Sequence, residues 1–153
     1  MSDLKKRMNE YDPDSEIINV INALFLKSQM YYKGFFADKK FDISPAQWEV
    51  LNQLWKQDGM SQAQLAEETV KERPFITRMV DDLEKKTLVY RKQDKEDRRS
   101  NKVFLTAKGR TLKFQILPDY FQLQDRLLEG VSEADLKKVR DITGRMIENI
   151  ERS

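Results

Sequence analysis

A short stretch in the middle of the sequence places two arginines, a proline and a threonine at helical spacing. Positions 73, 74, 77 and 78 are three and four residues apart and so share one helix face; they are Arg73, Pro74, Thr77 and Arg78. The guanidinium of either arginine can bond guanine in a bidentate manner, and Thr77 and Pro74 can contact a thymine methyl group. Phe75 either lines the same side or packs under the preceding turn, and packing is the favoured interpretation. The alternative is an ordinary solvated face with a proline cap.

Other site chemistry is restricted by composition, because the sequence contains no Cys and no His. Disulfides, thiol-based redox sensing and zinc sensing through His are therefore excluded, and any catalysis would depend on carboxylates. No acidic pair falls in an assignable motif, and no Gly-rich phosphate loop is present. We expect no cofactor, no metal and no enzymatic activity, and a carboxylate-dependent enzyme is a competing class.

The positive charge is concentrated in one segment. Residues 71–113 contain 14 Lys and Arg against 7 Asp and Glu, a net charge of +7, whereas the rest of the chain has 14 against 19, a net charge of −5. A basic segment on an acidic body is typical of a nucleic-acid footprint. The alternative is a chance fluctuation in a highly charged chain.

Helix start signals indicate the elements that must position these residues. Most are a capping residue, several of them followed by proline, glutamine or an acidic residue, and the fourth helix is placed by Pro74, which is tolerated only in a first turn. They predict six helices, the first of them capped by Asp12. The approximate ranges are 13–37, 44–57, 61–69, 73–86, 107–129 and 132–151. The first range has an apolar stripe wider than a small surface helix needs, which suggests burial on more than one side.

The residue pattern changes between the fourth and fifth helices. β-prone runs at 88–92 and 102–106 flank a wholly polar stretch at 93–101, which predicts a hairpin with a long charged loop. Helix, turn, helix and hairpin in this order match a winged helix-turn-helix. We therefore expect a mainly α fold with a small β-hairpin wing, in a dimer that binds two DNA half-sites.

The segment that ends the charged loop carries a specific motif. Residues 97–109, DRRSNKVFLTAKG, fit D-x-R-x-x-x-V-x-L-T-x-x-G at every specified position. This pattern resembles the wing signature of the MarR family, and the likeness spans roughly residues 44–112. Thr87 departs from it, since the family usually has Gly there. A β-branched residue is disfavoured at positive φ, so we expect an altered or mildly strained turn after the helix over 73–86, which the resemblance makes the recognition helix.

The resemblance implies a DNA-binding transcriptional regulator and assigns roles in the wing. Arg99 would enter the minor groove, and Asp97 would be the structural partner that holds it. We expect phosphate contacts from Arg98 and Lys102 and a solvated position for Lys95.

The start of the helix over 61–69 supplies three further polar residues, Ser61, Gln62 and Gln64. They can contact phosphates and set the register of the protein on DNA. The alternative is that they serve only as helix caps.

The resemblance also implies an organisation. The chain is expected to be a single domain over 1–153, with a DNA-binding lobe at 44–109 and dimerisation helices at 1–40 and 110–153. An apolar stripe in the last helix favours packing between subunits over packing within one; it comprises Leu136, Val139, Ile142, Met146, Ile147 and Ile150.

Members of the family often respond to small aromatic or lipophilic effectors. The residues predicted to line such a pocket are Tyr31, Phe35, Trp48, Trp55 and Phe114. Plain core packing is the alternative for this aromatic set.

The expected function is repression at a pseudo-palindromic operator of double-stranded DNA, relieved by such an effector, with activation left open. A winged helix used as a protein-interaction module is the second competing class, and the basic segment speaks against it.

No run approaches the roughly 18 apolar residues that span a membrane, and residues 1–16 do not resemble a secretory signal. A cytoplasmic protein is therefore expected.

Overall fold

Seven α-helices and three β-strands make up the part of the chain that the computed structural model describes, residues 2–94 and 100–153. In chain order they are α1 (Ser2–Asn9), α2 (Ile17–Asp38), α3 (Pro45–Lys56), β1 (Met60–Ser61), α4 (Gln62–Thr69), α5 (Arg73–Lys85), β2 (Val89–Gln93), β3 (Asn101–Leu105), α6 (Ala107–Leu127) and α7 (Glu133–Glu151).

The N-terminal region differs from the prediction in two ways. The sequence analysis missed α1, and α2 begins at Ile17 instead of residue 13. The Asp12 side chain accepts a hydrogen bond from the Asp14 N–H at 3.1 Å, and the Asp12 carbonyl accepts one from the Ser15 N–H at 3.1 Å. Asp12 and Pro13 therefore form a separate turn before the helix, because the Asp side chain caps that turn instead of α2.

The two predicted capping boxes are confirmed. In α3 the Ser44 hydroxyl accepts from the Gln47 N–H at 3.2 Å, while the Gln47 side chain accepts from the Ser44 N–H at 3.1 Å. The same exchange at Ser61 and Gln64 begins α4. These bonds satisfy N–H groups that have no partner inside the helix, so both helices begin where the sequence predicts.

The wing is part of a three-stranded antiparallel sheet with the order β1-β3-β2. The hairpin pairs Val89 with Leu105, and each strand is shifted by one residue from the predicted range. The additional strand, β1, pairs Met60 with Val103. Two residues are too few to produce an alternating pattern, which is why the sequence did not reveal β1.

The core of the winged helix is built from the apolar faces of α3, α4, α5 and the sheet. Its fully buried side chains include Leu51, Leu54, Leu65, Ile76, Val80, Leu83 and Val103. Each such side chain stabilises the fold by about 1.5–3 kcal/mol relative to exposure. Met79, on the same helix, is only half-buried. This core fixes the side of α5 that faces away from its arginines.

The turn after α5 adopts the strained backbone expected at Thr87, whose φ is +58°. The Leu88 N–H donates to the Leu83 carbonyl at 2.9 Å, and the Thr87 N–H donates to the Glu84 carbonyl at 2.8 Å. These are the bonds of a glycine-type helix terminus. Thr87 thus keeps the backbone that Gly would adopt, at a cost of about 1 kcal/mol or more.

The chain divides into two compact units, residues 1–114 and residues 115–153. The first contains the winged helix together with α1 and α2, and the second contains the end of α6 and all of α7. Within the described residues, no helix combines the length and apolar character needed to cross a membrane.

Candidate nucleic-acid interface

The first turn of α4 holds two of the predicted contact residues in fixed positions. The Ser61 hydroxyl accepts a hydrogen bond from the Gln64 N–H at 3.1 Å, and the Gln64 side-chain oxygen accepts one from the Ser61 N–H at 2.9 Å. The capping role of both residues is therefore confirmed. The amide nitrogen of Gln64 takes no part in this exchange, and its two donors suit a phosphate oxygen.

Gln62 in the same turn carries an unsatisfied atom. Its side-chain oxygen is buried and has no hydrogen-bond partner among the described residues. Such an atom costs about 1–3 kcal/mol when it stays unpaired. Because this oxygen is buried, it is closed to a ligand, and the group of Gln62 that remains for DNA is its side-chain amide nitrogen, a donor that suits a phosphate oxygen.

The N-terminal half of α5 exposes the residues that the sequence placed on one helix face. Arg73, Pro74, Thr77 and Arg78 are all exposed. The Thr77 hydroxyl donates to the Arg73 carbonyl at 3.0 Å, so its proton is used within the helix. The Arg78 guanidinium lies over the Phe75 ring, 5.9 Å from the centroid, and Phe75 is half-buried. Stacking of this kind restricts the arginine before any ligand binds.

A polar groove brings α4, α5 and the wing together; its volume is about 720 Å³. Six of the predicted contact residues line it: Ser61, Gln62, Gln64, Arg73, Thr77 and Lys102. The sequence analysis missed the other four lining residues: Ala63, and Asp94, Ser100 and Asn101, which lie in the stretch predicted as a loop. Pro74 lines a neighbouring groove instead. We refer to the polar groove between α4, α5 and the wing as the reading groove.

Lys102 reaches the reading groove already paired with an acid. Its ammonium lies 3.2 Å from the Asp94 carboxylate, and the Asp94 N–H donates to the Ser100 carbonyl at 3.0 Å. A phosphate at this position would therefore share Lys102 with Asp94. The predicted wing residues Asp97, Arg98 and Arg99, together with Lys95, lie outside the described residues.

Arg91 on β2 ties the wing to the recognition helix, a role that the sequence analysis did not predict. Its guanidinium pairs with Glu84 and lies 2.7 Å from Asp81, and the Arg91 backbone N–H donates to the Glu84 carboxylate at 2.8 Å. The same guanidinium reaches the Thr77 carbonyl at 3.4 Å. One arginine thus contacts three successive turns of α5. The spacing of Asp81 and Glu84 was the available signal, since acids three apart face the same side of a helix.

The L-T-x-x-G part of the wing motif has a structural explanation. The Thr106 hydroxyl donates to the Thr87 carbonyl at 2.7 Å and accepts from the Gly109 N–H at 3.0 Å, which caps α6. A Cβ at Gly109 would lie 2.1 Å from the Leu88 carbonyl oxygen. Trp55 donates from its indole nitrogen to the Gly109 carbonyl at 3.0 Å. The motif therefore holds the start of α6 against the base of the wing.

The aromatic residues predicted to line an effector pocket fall into two groups. Phe35 and Trp48 are buried and belong to a chain of ring contacts that extends to Trp55, whose centroid lies 5.2 Å from that of Trp48. Tyr31 and Phe114 expose 39% and 73% of their surfaces. Two of the five rings are thus buried in the core, Trp55 is half-buried beside them, and two are accessible.

Comparison with known sequences identifies the family. The sequence profile of the MarR family matches residues 43–101. An HTH-type transcriptional regulator of Bacillus cereus is 30% identical over 101 residues, which cover 66% of this chain and 67% of that protein. A Bacillus anthracis regulator has the same identity and coverage. The chain belongs to the MarR family. As a member, it is a DNA-binding transcriptional regulator.

Solved MarR-family structures share the fold. A MarR transcriptional regulator from Methanosarcina mazei aligns with a TM-score of 0.78 at 24% identity, covering 89% of this chain and 96% of its own. A MarR/EmrR-family regulator from Acinetobacter aligns with a TM-score of 0.83 at 20% identity, and the alignment covers 94% of this chain and 100% of that regulator. The S. aureus MepR–DNA complex aligns with a TM-score of 0.74 at 22% identity, and the alignment covers 86% of this chain and 95% of the MepR chain. At these identities the likeness concerns the fold alone.

Proposed function

We propose that this MarR-family protein acts in the cytoplasm as a homodimer that binds a pseudo-palindromic operator and represses transcription by steric occlusion. The observation that carries the proposal is the reading groove, where the first turn of α4, the N-terminal half of α5 and β3 contribute residues to one concave surface. In the proposal, α5 lies in the major groove and presents Arg73, Thr77 and Arg78 to base edges. Ser61 and Gln64 contact phosphates and set the register.

The remaining predicted contacts complete this assignment. Pro74 contacts a thymine methyl group, and Gln62, Lys102 and Arg98 contact phosphates. Arg99 enters the minor groove, held by Asp97. The DNA-binding lobe covers residues 44–109, and the dimerisation helices cover 1–40 and 110–153.

Exposed apolar faces support the homodimer. None of the residues of α7 is buried in the single chain, although Val139, Ile142, Ile147 and Ile150 are large and apolar. The exposed apolar residues of α2 are Ile17, Ile18, Val20, Leu24, Phe25, Leu26 and Met30. A 19-residue helix with an unburied apolar stripe gains stability when a partner covers that stripe. A two-fold dimer would also place two copies of α5 on successive turns of DNA.

The dimer is tested by a charge in this stripe. Ile147→Glu should convert the protein to a monomer, measured by light scattering during size-exclusion chromatography, and should reduce operator affinity. Arg145→Glu, at an exposed position of the same helix, is the matched control and should leave the dimer intact. A dimeric Ile147→Glu variant would remove this part of α7 from the interface.

Operator binding is tested by selection of bound duplexes from random oligonucleotides. The expected result is an inverted repeat whose half-sites are centred about one helical turn apart. An operator placed over a promoter should then reduce transcription in a reconstituted reaction in proportion to occupancy. Recovery of unselected sequences at moderate salt would overturn the proposal, and increased transcription would overturn repression.

A small aromatic or lipophilic effector that relieves repression is the last part of the proposal. We assign its contacts to the accessible rings of Tyr31 and Phe114 and to the half-buried Trp55, and regard Phe35 and Trp48 as core residues. An effector that binds the DNA-free state more tightly must lower operator affinity by the same factor. Titration with a panel of aromatic acids, followed by operator affinity, tests this. No change with any acid would contradict effector relief within this chemical class.

A further inference from the structure

Val70, at the turn between α4 and α5, has a backbone conformation that its side chain disfavours. Its φ is +53° and its ψ is 46°, in the left-handed region. A β-branched residue there is an outlier, whereas Gly or Asn is tolerated. The hydrogen bonds of the turn, from the Val70 N–H to the Glu67 carbonyl at 3.1 Å and from the Lys71 N–H to the Ala66 carbonyl at 2.9 Å, use backbone atoms only. The turn therefore does not require valine.

Burial does not compensate for this strain. Val70 exposes 89% of its surface, the largest exposed fraction among the exposed large hydrophobic residues described. The side chain therefore contributes almost no hydrophobic stabilisation while it strains the backbone. Residues in strained conformations cluster at binding sites, where the strain serves recognition. The position of Val70 indicates which binding site this is.

Val70 lines a groove that adjoins the reading groove. This second groove, of about 740 Å³, is also lined by Ala66 and Pro74, and it shares Ala63 and Arg73 with the reading groove. The apolar side chains of Val70 and Pro74 thus lie beside the arginine at the first position of α5. A ligand edge that passes along the start of α5 would meet an apolar surface here.

We propose that Val70 is a specificity-determining residue that contacts the C5-methyl group of a thymine beside the base read by Arg73. The assignment rests on the proposed function, in which the start of α5 enters the major groove. On the major-groove edges of the base pairs, the thymine methyl is the apolar group that a valine side chain can contact. Because the Val70 side chain is exposed to solvent, it is accessible for that contact.

The test replaces each thymine of the selected operator by deoxyuridine, which removes only the methyl group. For the wild-type protein, a single substitution at one particular position of a half-site should weaken binding about fourfold, the value of one buried methyl. In Val70→Gly the same substitution should have no effect. Val70→Gly should also raise Tm by about 2–4 °C, because the strain is released.

Thr87→Gly is the matched control. It removes the same kind of strain at the other end of α5, about 20 Å along the helix axis. This variant should likewise raise Tm, but its deoxyuridine profile should match that of the wild type. A Val70→Gly protein that keeps the wild-type profile would overturn the Val70 assignment and leave operator binding intact. A wild-type protein that selects no sequence would overturn the proposed function itself.

Discussion

The guanidinium of Arg91 on β2 lies 2.7 Å from the carboxylate of Asp81 on α5, and it also pairs with Glu84. The Arg91 side chain exposes only 20% of its surface. One arginine of the basic segment thus forms ion pairs within the protein. It fixes the angle between the wing and the helix that we assign to the major groove.

Arg91→Lys should separate this positioning role from the charge. Lysine keeps the positive charge but cannot hold two carboxylates in the planar geometry of a guanidinium. We expect operator affinity to fall by about 0.5–1.5 kcal/mol, with little change for random duplex at the same salt concentration. Fluorescence anisotropy with both duplexes measures the difference. Lys92→Arg, at the exposed neighbouring position, should change neither affinity, and equal losses on both duplexes in Arg91→Lys would contradict positioning.

Arg99→Ala should weaken binding to many sequences alike. The side chain is assigned to the minor groove, where it responds to groove width and phosphate charge instead of individual bases. The slope of log affinity against log salt should decrease by about one unit. Lys95→Ala is the control, because Lys95 is predicted to be solvated. An unchanged affinity and slope for Arg99→Ala would remove Arg99 from the interface.

Arg78→Ala should relax the preference for particular base pairs. Loss of a bidentate contact with guanine removes about 1–3 kcal/mol of discrimination at that position. The measurement is a repeated selection from random duplexes, compared with the wild-type motif. Lys85→Ala, at the last turn of the same helix, should return the wild-type motif. The same result from Arg78→Ala would show that Arg78 does not read bases.

Gly109→Ala should destabilise the fold by about 3 kcal/mol or more, because the new Cβ would lie 2.1 Å from the Leu88 carbonyl oxygen. Backbone atoms cannot yield here without moving α6 away from the wing. Chemical denaturation measures the loss. Gly34→Ala is the matched control within a helix, since its Cβ would meet nothing within 4 Å, and it should stabilise by about 0.5–1 kcal/mol. Equal stabilities for the two variants would contradict close packing at Gly109.

Local signals in the sequence determined the helix starts and the contact face. The capping boxes at Ser44 and Ser61 join residues three positions apart, so the sequence contains both partners and the helices begin as predicted. Helical spacing likewise placed Arg73 and Thr77 on one exposed face. The wing motif was sufficient by itself to indicate the family. Such features depend on residues close together in the chain, which a sequence displays directly.

Contacts between distant residues were decided only by the tertiary structure. The Arg91 clamp, the β1 strand and the pairing of Lys102 with Asp94 each require the register of the hairpin or its angle to α5. Asp12 shows the reverse case, because a good capping residue closed a turn of its own and α2 began later. For the apolar stripe of α7 the sequence favoured packing between subunits, and the structure adds that Val139, Ile142 and Ile147 are exposed in the single chain. Burial is a property of the packed chain, since it depends on which elements meet.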